Sequence, residues 1–367
     1  MNKRQTNFCK GIAVILLLIH HLFGNYEDIE NFSVICTPLS GESLAYLAQI
    51  FKVCVSIFVF LTGYGYMKSS QKMNDKVNST YGEVTCKRYI RLMFGFWFIF
   101  IPALIINFVA GENVYGNGRL ERCTNILIDG LGLAHVFQTP TINVTWWYMS
   151  YALLLVLITP FFIWLIEKTK LMIIPITIIV PRFLIDIDAI GNPHFITRYL
   201  LALILGIICA KYYFFERVAK ISKKILYADI WLFLLLCVAI GIFRQRIGYF
   251  DISEAFLAMI ICYLTVRIIP QEVKFWRILT FIGKHSLNIF LIHTFIFKYY
   301  FSDFVYSFKY AGLITIVLLV ISLFLSILIE QLKKVLAYNK LENFVLKKIY
   351  QLYEREDVRT GKEIGIR

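Results

Sequence analysis

Apolar runs of membrane-spanning length occupy most of this 367-residue chain and constrain its fold more than any other feature. A helix that crosses a bilayer needs about 20 mainly apolar residues, within a range of about 17–25. Ten segments approach that length: 8–24, 44–67, 89–110, 146–166, 171–187, 196–214, 229–244, 253–269, 278–298 and 311–331. Because 59% of the residues are hydrophobic and only 17% are charged, one soluble core would not bury them. The sequence therefore predicts an all-α integral membrane protein with about ten transmembrane helices.

The basic residues lie in the short segments between the apolar runs and report the orientation of the chain. Of the 38 Lys and Arg residues, 28 fall on the side of the N-terminus and 8 on the other, while Lys52 and Lys284 lie inside runs. Because cytoplasmic loops are enriched in Lys and Arg, both termini are expected in the cytoplasm. The net charge of +14 is then a topology signal, and nucleic-acid binding is not favoured. We expect a multi-pass protein of the cell membrane.

Two regions follow from this pattern, a transmembrane domain over 1–331 and a charged cytoplasmic tail over 332–367. The tail mixes aromatic and aliphatic residues with lysines, which is typical of a helix lying along the inner membrane surface. A partly ordered helix without such a role is the alternative. The eight cysteines are scattered, without Cys-x-x-Cys or a Cys/His pair at the spacing of zinc ligands, so no metal is expected.

The first apolar run contains two histidines in the segment Lys10–Gly24. Ionisable side chains are costly inside a bilayer, and they usually face the protein interior or a wet cavity. Lys10 and His21 are eleven residues apart, so a helix places them on nearly the same face and about 16 Å apart along its axis. His20 lies about 100° round the helix from that line. The run therefore predicts a functional site at His21, or else histidines that are only hydrogen-bonded to a neighbouring helix.

The ninth apolar run also carries polar residues, in the segment from Gly283 to His293. Ser286 and His293 are seven residues apart and share one helix face, while His285 and Asn288 form a separate polar edge. A second deep histidine predicts a polar cavity shared with the first helix. Independent burial of each histidine is the alternative.

Charged and aromatic residues mark the entries of two other spans. Arg88 and Arg91 are three residues apart at the start of the third run. The planar guanidinium suits a phosphate, so this pair predicts a site for a nucleotide-bearing cofactor, or alternatively cytoplasmic anchoring. Trp146, Trp147 and Tyr148 open the fourth run, as an interfacial aromatic belt or as a platform for a sugar ring.

Taken in order, these residues resemble the acyltransferase-3 family, integral membrane enzymes that O-acylate sugars and cell-envelope polymers. The family's first helix carries a basic residue, ten intervening residues and a histidine, which Lys10 and His21 match with lysine in place of the commoner arginine. The family's aromatic run ending in Ser-Gly resembles Phe58–Gly63, with Thr62 in place of the serine. Small residues there also allow another helix to approach closely.

Three further motifs extend the resemblance over about residues 8–331. The family's paired arginines at the third helix resemble Arg88 and Arg91, and its tryptophan-aromatic entry to a middle helix resembles Trp146–Tyr148. Its late Gly-x-x-Ser-to-His segment resembles Gly283–His293.

The resemblance implies an O-acetyltransferase that uses cytoplasmic acetyl-CoA as acyl donor and no metal. Lys10, Arg88 and Arg91 would hold the phosphates of the donor. His21 would act as general base on the acceptor hydroxyl, or would form a covalent acyl-histidine. His293 would orient the acceptor or stabilise the developing oxyanion.

For the acceptor, the resemblance implies a hydroxyl of a cell-surface polysaccharide or another envelope glycan. Trp146, Trp147, Tyr148 and Ser286 are the candidate acceptor-binding residues. Two other classes stay open from the residues alone. A transporter or glycan-lipid flippase would use the histidines as a proton relay, although the repeated halves typical of transporters are not visible. A non-catalytic membrane subunit with the same fold is the third possibility.

Overall fold

A computed structural model describes residues 1–74, 81–183, 197–220, 231–232, 235, 250–268 and 274–364. The predicted seventh span, 229–244, lies almost wholly outside these residues. The described part is helical, without a β-strand, and carries a single parallel bridge between Ile35 and Tyr310.

The described part of the first half of the chain forms nine α-helices. They are α1 (Lys3–Phe23), α2 (Tyr26–Asn31), α3 (Gly41–Ile50), α4 (Val53–Asn74), α5 (Tyr81–Val109), α6 (Arg119–Gly130), α7 (Ala134–Phe137), α8 (Trp147–Thr169) and α9 (Ile173–Phe183). A 3-10 turn at Val144–Trp146 leads into α8, and another at Lys170–Met172 separates α8 from α9.

Eight further helices follow among the described residues. They are α10 (Leu200–Lys211), α11 (Phe214–Val218), α12 (Phe250–Ile268), α13 (Lys274–Lys284), α14 (Ser286–Thr294), α15 (Ser302–Tyr306), α16 (Ala311–Val335) and α17 (Tyr338–Ile364). A π-helix, Phe295–Tyr300, joins α14 to α15.

Five helical stretches in the described ranges are long and apolar enough to cross a membrane. They are Lys3–Phe23, Gly41–Lys72, Tyr81–Val109, Val144–Val180 and Ala311–Val335. These stretches confirm the helical, membrane-spanning character that the apolar runs predict. The full set of ten spans and the cytoplasmic location of both termini stay predictions.

One face of α16 carries a stripe of exposed apolar side chains. Large apolar side chains 42–59% exposed recur along it at spacings of three and four residues: Leu313, Ile316, Val320, Phe324 and Leu328. Such a stripe would be costly in water, whereas it matches the hydrocarbon of a bilayer.

The chain divides into two compact units. Unit 1 comprises Met1–Lys68 and Phe161–Phe324, and unit 2 comprises Ser69–Pro160 and Leu325–Arg367. His21 and His293 belong to unit 1, and the arginine and tryptophan motifs belong to unit 2.

Helices of unit 1 approach one another through glycines. A Cβ added at Gly11 of α1 would lie 2.0 Å from the carbonyl oxygen of Leu279 in α13, and one at Gly283 would lie 1.8 Å from the carbonyl oxygen of Asn7. A Cβ at Gly63 of α4 would lie 2.4 Å from a backbone oxygen of α10. The close helix approach that the Thr62–Gly63 motif predicts is therefore present, and an equally close contact joins α1 to α13.

In unit 2, side-chain hydrogen bonds to backbone carbonyls tie neighbouring segments to the long helix α5. The Tyr338 hydroxyl of α17 donates to the carbonyl oxygen of Phe94 at 3.1 Å. The indole Nε1–H of Trp97 donates to the carbonyl oxygen of Gly130, where α6 ends, at 2.7 Å. The α6–α7 segment therefore packs against α5 near the middle of that helix rather than at its end.

Candidate active site

His21 and His293 lie side by side in unit 1. Their ring centroids are 5.1 Å apart, and the ring planes are inclined by 45°. His21 lies near the end of α1, and His293 is fully buried in α14. The structure thus brings together the two histidines for which the sequence predicts a shared cavity. Their chemical roles stay predictions.

The environment of His293 defines which of its nitrogens carries the proton. Its Nδ1 lies 2.8 Å from the carbonyl oxygen of Phe290 and 3.1 Å from that of Ile289. Because a carbonyl oxygen only accepts, Nδ1 must be the N–H donor, and Nε2 of the neutral ring is then an acceptor. The ring also stacks on Phe297, with centroids 6.0 Å apart. Its orientation is therefore fixed by the helix that carries it.

His20 is held differently from its neighbour. Its Nδ1 lies 2.9 Å from the carbonyl oxygen of Ala48 in α3, so this nitrogen is also a donor. The ring centroid of His20 is 5.2 Å from that of His21. The sequence predicts no particular partner for His20, and the structure places it at the contact between α1 and α3. Lys10 lies in the same uninterrupted helix as both histidines, which preserves the predicted alignment with His21.

The helix that carries His293 is bounded by two irregularities. The predicted span 278–298 is interrupted at His285, between α13 and α14, and changes to a π-helix after Thr294. Such π-turns are frequent at functional sites. Ser286 is buried at the first turn of α14, on the same face as His293 seven residues later.

Arg88 and Arg91 lie near the start of α5 in unit 2. The Nη2 of Arg88 donates to the Ser69 hydroxyl at 3.1 Å. The Nε of Arg91 lies 3.3 Å from a carboxylate oxygen of Glu342 in α17, and 55% of the Arg91 side chain is exposed. Sequence reasoning did not identify Glu342 as an anion competing for this arginine, because it lies in a tail dominated by lysines.

The tryptophan motif lines a cavity of about 240 Å³ in unit 2, between α5, the α6–α7 segment and the start of α8. Trp146 is buried, and its ring packs edge-on against Phe96 of α5 at a centroid distance of 5.0 Å. Trp147 lines the same cavity. Tyr148 contacts Trp147, at a centroid distance of 5.8 Å, but does not line the cavity.

Sequence reasoning missed the polar wall of this cavity. Asp129 and His135 line it with Gln138 and Thr141, and they come from a segment that reads as an ordinary loop between spans. Asp129 is buried and accepts from the Tyr115 hydroxyl at 2.6 Å. Burial raises the pKa of the Asp129 carboxyl above its usual range. The sequence signal for this polar wall is Asp129, a single aspartate on an amphipathic helix, and such a signal is weak.

No group of three His, Cys, Asp or Glu side chains suited to a metal ion occurs within the ranges that the structure describes. The helical fold and the apolar, membrane-length helices define an integral membrane protein, and a pair of imidazoles is held within it.

The acyltransferase domain of the acyltransferase-3 family matches residues 5–331 of the chain. The chain therefore belongs to this family and is an acyltransferase, an enzyme that works in a lipid bilayer with an acyl donor and an acyl acceptor. Neither a curated protein nor a solved structure matches the chain. Membership of an enzyme family favours acyl transfer over the transporter interpretation.

Proposed function

We propose that this protein transfers an acetyl group from cytoplasmic acetyl-CoA to a hydroxyl of an envelope glycan, in the cytoplasmic membrane of a bacterium. The observation that carries this proposal is the pair of imidazoles, His21 and His293, whose centroids are 5.1 Å apart in a membrane acyltransferase. Proton transfer is the chemistry that neutral histidines supply near neutral pH.

His21 serves as the general base. Its imidazole removes the proton of the acceptor hydroxyl while the hydroxyl oxygen attacks the thioester carbonyl, and a new C–O bond forms. When the C–S bond breaks, the imidazolium returns the proton to the departing thiolate of CoA. A covalent acyl-histidine is the variant mechanism, in which the ring nitrogen attacks first.

His293 orients the acceptor hydroxyl. The contacts of its Nδ1 with Ile289 and Phe290 use the single N–H of the neutral ring. The remaining nitrogen is an acceptor, so the neutral ring cannot donate to an oxyanion. Two roles are predicted for His293, orientation of the acceptor and stabilisation of the oxyanion. This geometry supports orientation of the acceptor. Ser286, buried on the same face, would contact the same substrate.

The phosphates of the donor bind basic side chains. Arg88 and Arg91 supply guanidinium groups on one helix of unit 2, and Arg88 is already positioned by Ser69. Lys10 supplies a cation about 16 Å along α1 from His21. Trp146 and Trp147 contact the glycan.

The proposal is tested with His21→Ala in purified protein reconstituted in nanodiscs. The readouts are release of CoA from acetyl-CoA and gain of acetyl mass on an envelope glycan. Removing a general base should lower kcat about 10²- to 10⁴-fold. His20→Ala is the matched control, because that ring is the neighbouring imidazole and is bonded to α3, and it should retain transfer within a few fold. Wild-type transfer by His21→Ala would refute His21 as the base, and no acetylated glycan with wild-type protein would refute the reaction.

A further inference from the structure

One wall of the cavity in unit 2 lies well away from the C-terminal end of the long helix α5. Phe96 lines it and lies 13 residues before Val109, the last residue of α5, which is about 20 Å along the helix axis. Thr139 and Thr141, in the irregular stretch after α7, line the cavity together with Phe96. The α6–α7 segment and the irregular stretch after it therefore form a recess against α5.

The walls of this recess combine a flat apolar surface with hydrogen-bonding groups. Trp147 and His135 lie side by side with ring centroids 6.2 Å apart and planes inclined by 52°. The polar residues Thr139, Thr141 and Gln138 also line the recess. A pyranose ring presents C–H groups on its faces and hydroxyls round its edge, so aromatic faces and polar edges suit it. Acyl chains would need neither the threonines nor the amide.

The recess is held rigid by a buried carboxylate. Asp129 Oδ2 accepts from the Tyr115 hydroxyl at 2.6 Å and from the Ile142 N–H at 3.2 Å. Asn143 Oδ1 accepts from the Thr145 N–H at 3.0 Å and so begins the turn that carries Trp146. These bonds fix the segments on either side of the aromatic wall before any ligand binds, which lowers the entropic cost of binding.

Gln138 is the residue most informative about function. It ends α7 in the left-handed conformation, with φ 53°, a region in which glycine is unstrained and other residues are uncommon. Gln138 is exposed and is one of the residues that line the recess. Five other described non-glycine residues also have a positive φ, so the place of Gln138 in the lining, and not its conformation alone, is what suggests a use for its amide.

We propose that this recess binds a single sugar ring of the acceptor glycan, with Trp147 and His135 against the ring and Gln138 hydrogen-bonded to a hydroxyl. The inference rests on the proposed function for the identity of the acceptor. The volume of about 240 Å³ is below the roughly 300–1,000 Å³ of sites for drug-sized ligands. One ring therefore fits, and the rest of the glycan must extend out of the recess.

The test measures sugar binding directly, without acyl transfer. Wild-type protein in nanodiscs is titrated with glucose and N-acetylglucosamine, with acyclic sorbitol as the comparison, and binding is followed by saturation-transfer NMR. Trp147→Ala should weaken binding of the ring sugars about tenfold. Gln138→Gly should weaken it about three- to tenfold, as expected for one lost hydrogen bond, while relieving the backbone strain. Ala337→Gly is the control, because Ala337 also has a positive φ, of 50°, and lies outside the recess.

Thermal unfolding separates this role from a structural one. Gln138→Gly and Ala337→Gly should both unfold at or above the wild-type temperature, since glycine suits their conformation, and only the first should lose affinity for sugar. Equal binding of sorbitol and the ring sugars, or unchanged binding in both Trp147→Ala and Gln138→Gly, would overturn the proposal. So would displacement of the sugar by acetyl-CoA alone. If ring sugars bind as expected while no glycan is acetylated, the recess stands and the proposed reaction fails.

Discussion

A single methyl group at Gly283 should disturb the active site from a distance. The Cβ of alanine would lie 1.8 Å from the carbonyl oxygen of Asn7 and 2.8 Å from the backbone nitrogen of Gly11. Both neighbours are backbone atoms of α1, so no side chain can rotate away. To reach the 3.4 Å of ordinary contact, α1 and α13 must separate by about 1.6 Å at this point.

Separation of α1 from α13 should change the relative position of the two histidines. His21 follows Gly11 by ten residues of α1, about 15 Å along the helix axis. His293 follows Gly283 by ten residues, across the interruption at His285. Misplacement of reacting groups by about 1 Å costs about 100-fold in rate. Gly283→Ala should therefore lower kcat for acyl transfer at least about 100-fold. Overpacking of this kind also costs roughly 1–3 kcal/mol of stability.

The assay compares Gly283→Ala with Gly312→Ala in nanodiscs. Nothing lies within 4 Å of a Cβ at Gly312, so alanine there should keep wild-type activity and stability. CoA release gives kcat, and thermal unfolding gives the loss of stability. Rates are normalised to folded protein, so that poor folding is not mistaken for poor catalysis. Wild-type kcat in folded Gly283→Ala would refute the requirement for close contact between α1 and α13.

Substitutions at three further positions probe unit 2 and the edge of unit 1. Glu342→Gln removes the carboxylate 3.3 Å from Arg91 and should lower the KM for acetyl-CoA about two- to fivefold. The effect is small because exposed ion pairs are worth at most about 1 kcal/mol. Initial rates at varied donor concentration measure this KM. Asp129→Ala leaves two donors without a buried acceptor and should cost about 1–3 kcal/mol of unfolding free energy, with Asp129→Asn losing less in a thermal or urea titration. Burial alone would raise the pKa of Glu216, yet the hydrogen bond from Lys68 at 2.8 Å holds it below its usual 4.5. This stabilisation is complete above the unfolded pKa and is lost as the pH falls through the folded value, so Glu216→Gln should flatten the fall in unfolding temperature below pH about 4.5.

Each of these expectations has a contrary outcome. An unchanged donor KM in Glu342→Gln would remove Arg91 from the donor site. Equal losses for the alanine and asparagine variants of Asp129 would mean that its acceptor oxygen is not what stabilises the recess. A pH profile of Glu216→Gln that matches the wild type would mean that the Lys68 pair contributes nothing to stability.

The membrane helices are predictable because the bilayer imposes length and apolarity on each one. The first predicted span, 8–24, lies within α1 apart from its last residue, and 311–331 lies within α16. The interruption at His285 and the π-helix after Thr294 were not predictable, since the apolar run continues through both. There, hydrogen bonds and helix contacts set the backbone geometry, and hydrophobicity carries no information about them.

The candidate site likewise has features that the sequence predicts and features that it does not. Helical spacing was enough to align Lys10 with His21 and to point to His293 as a second deep histidine, because position along a helix follows from residue number. The donor hydrogen bond of His20 to Ala48 and the polar recess around Asp129 depend on contacts between segments distant in sequence. His135 and Gln138 have no periodic pattern at all, so only their positions in space identify them.

The two histidines of the pair are synthesised at very different times. His21 is made early, and His293 follows roughly 270 residues later, which is about 15–55 s at a synthesis rate of about 5–20 residues per second. Throughout that interval α1 carries two histidines in or near the bilayer without the partner ring of α14, a costly state that insertion machinery must shelter. If the proposed function holds, a chain that ends before His293 contains no imidazole pair and should not transfer acyl groups.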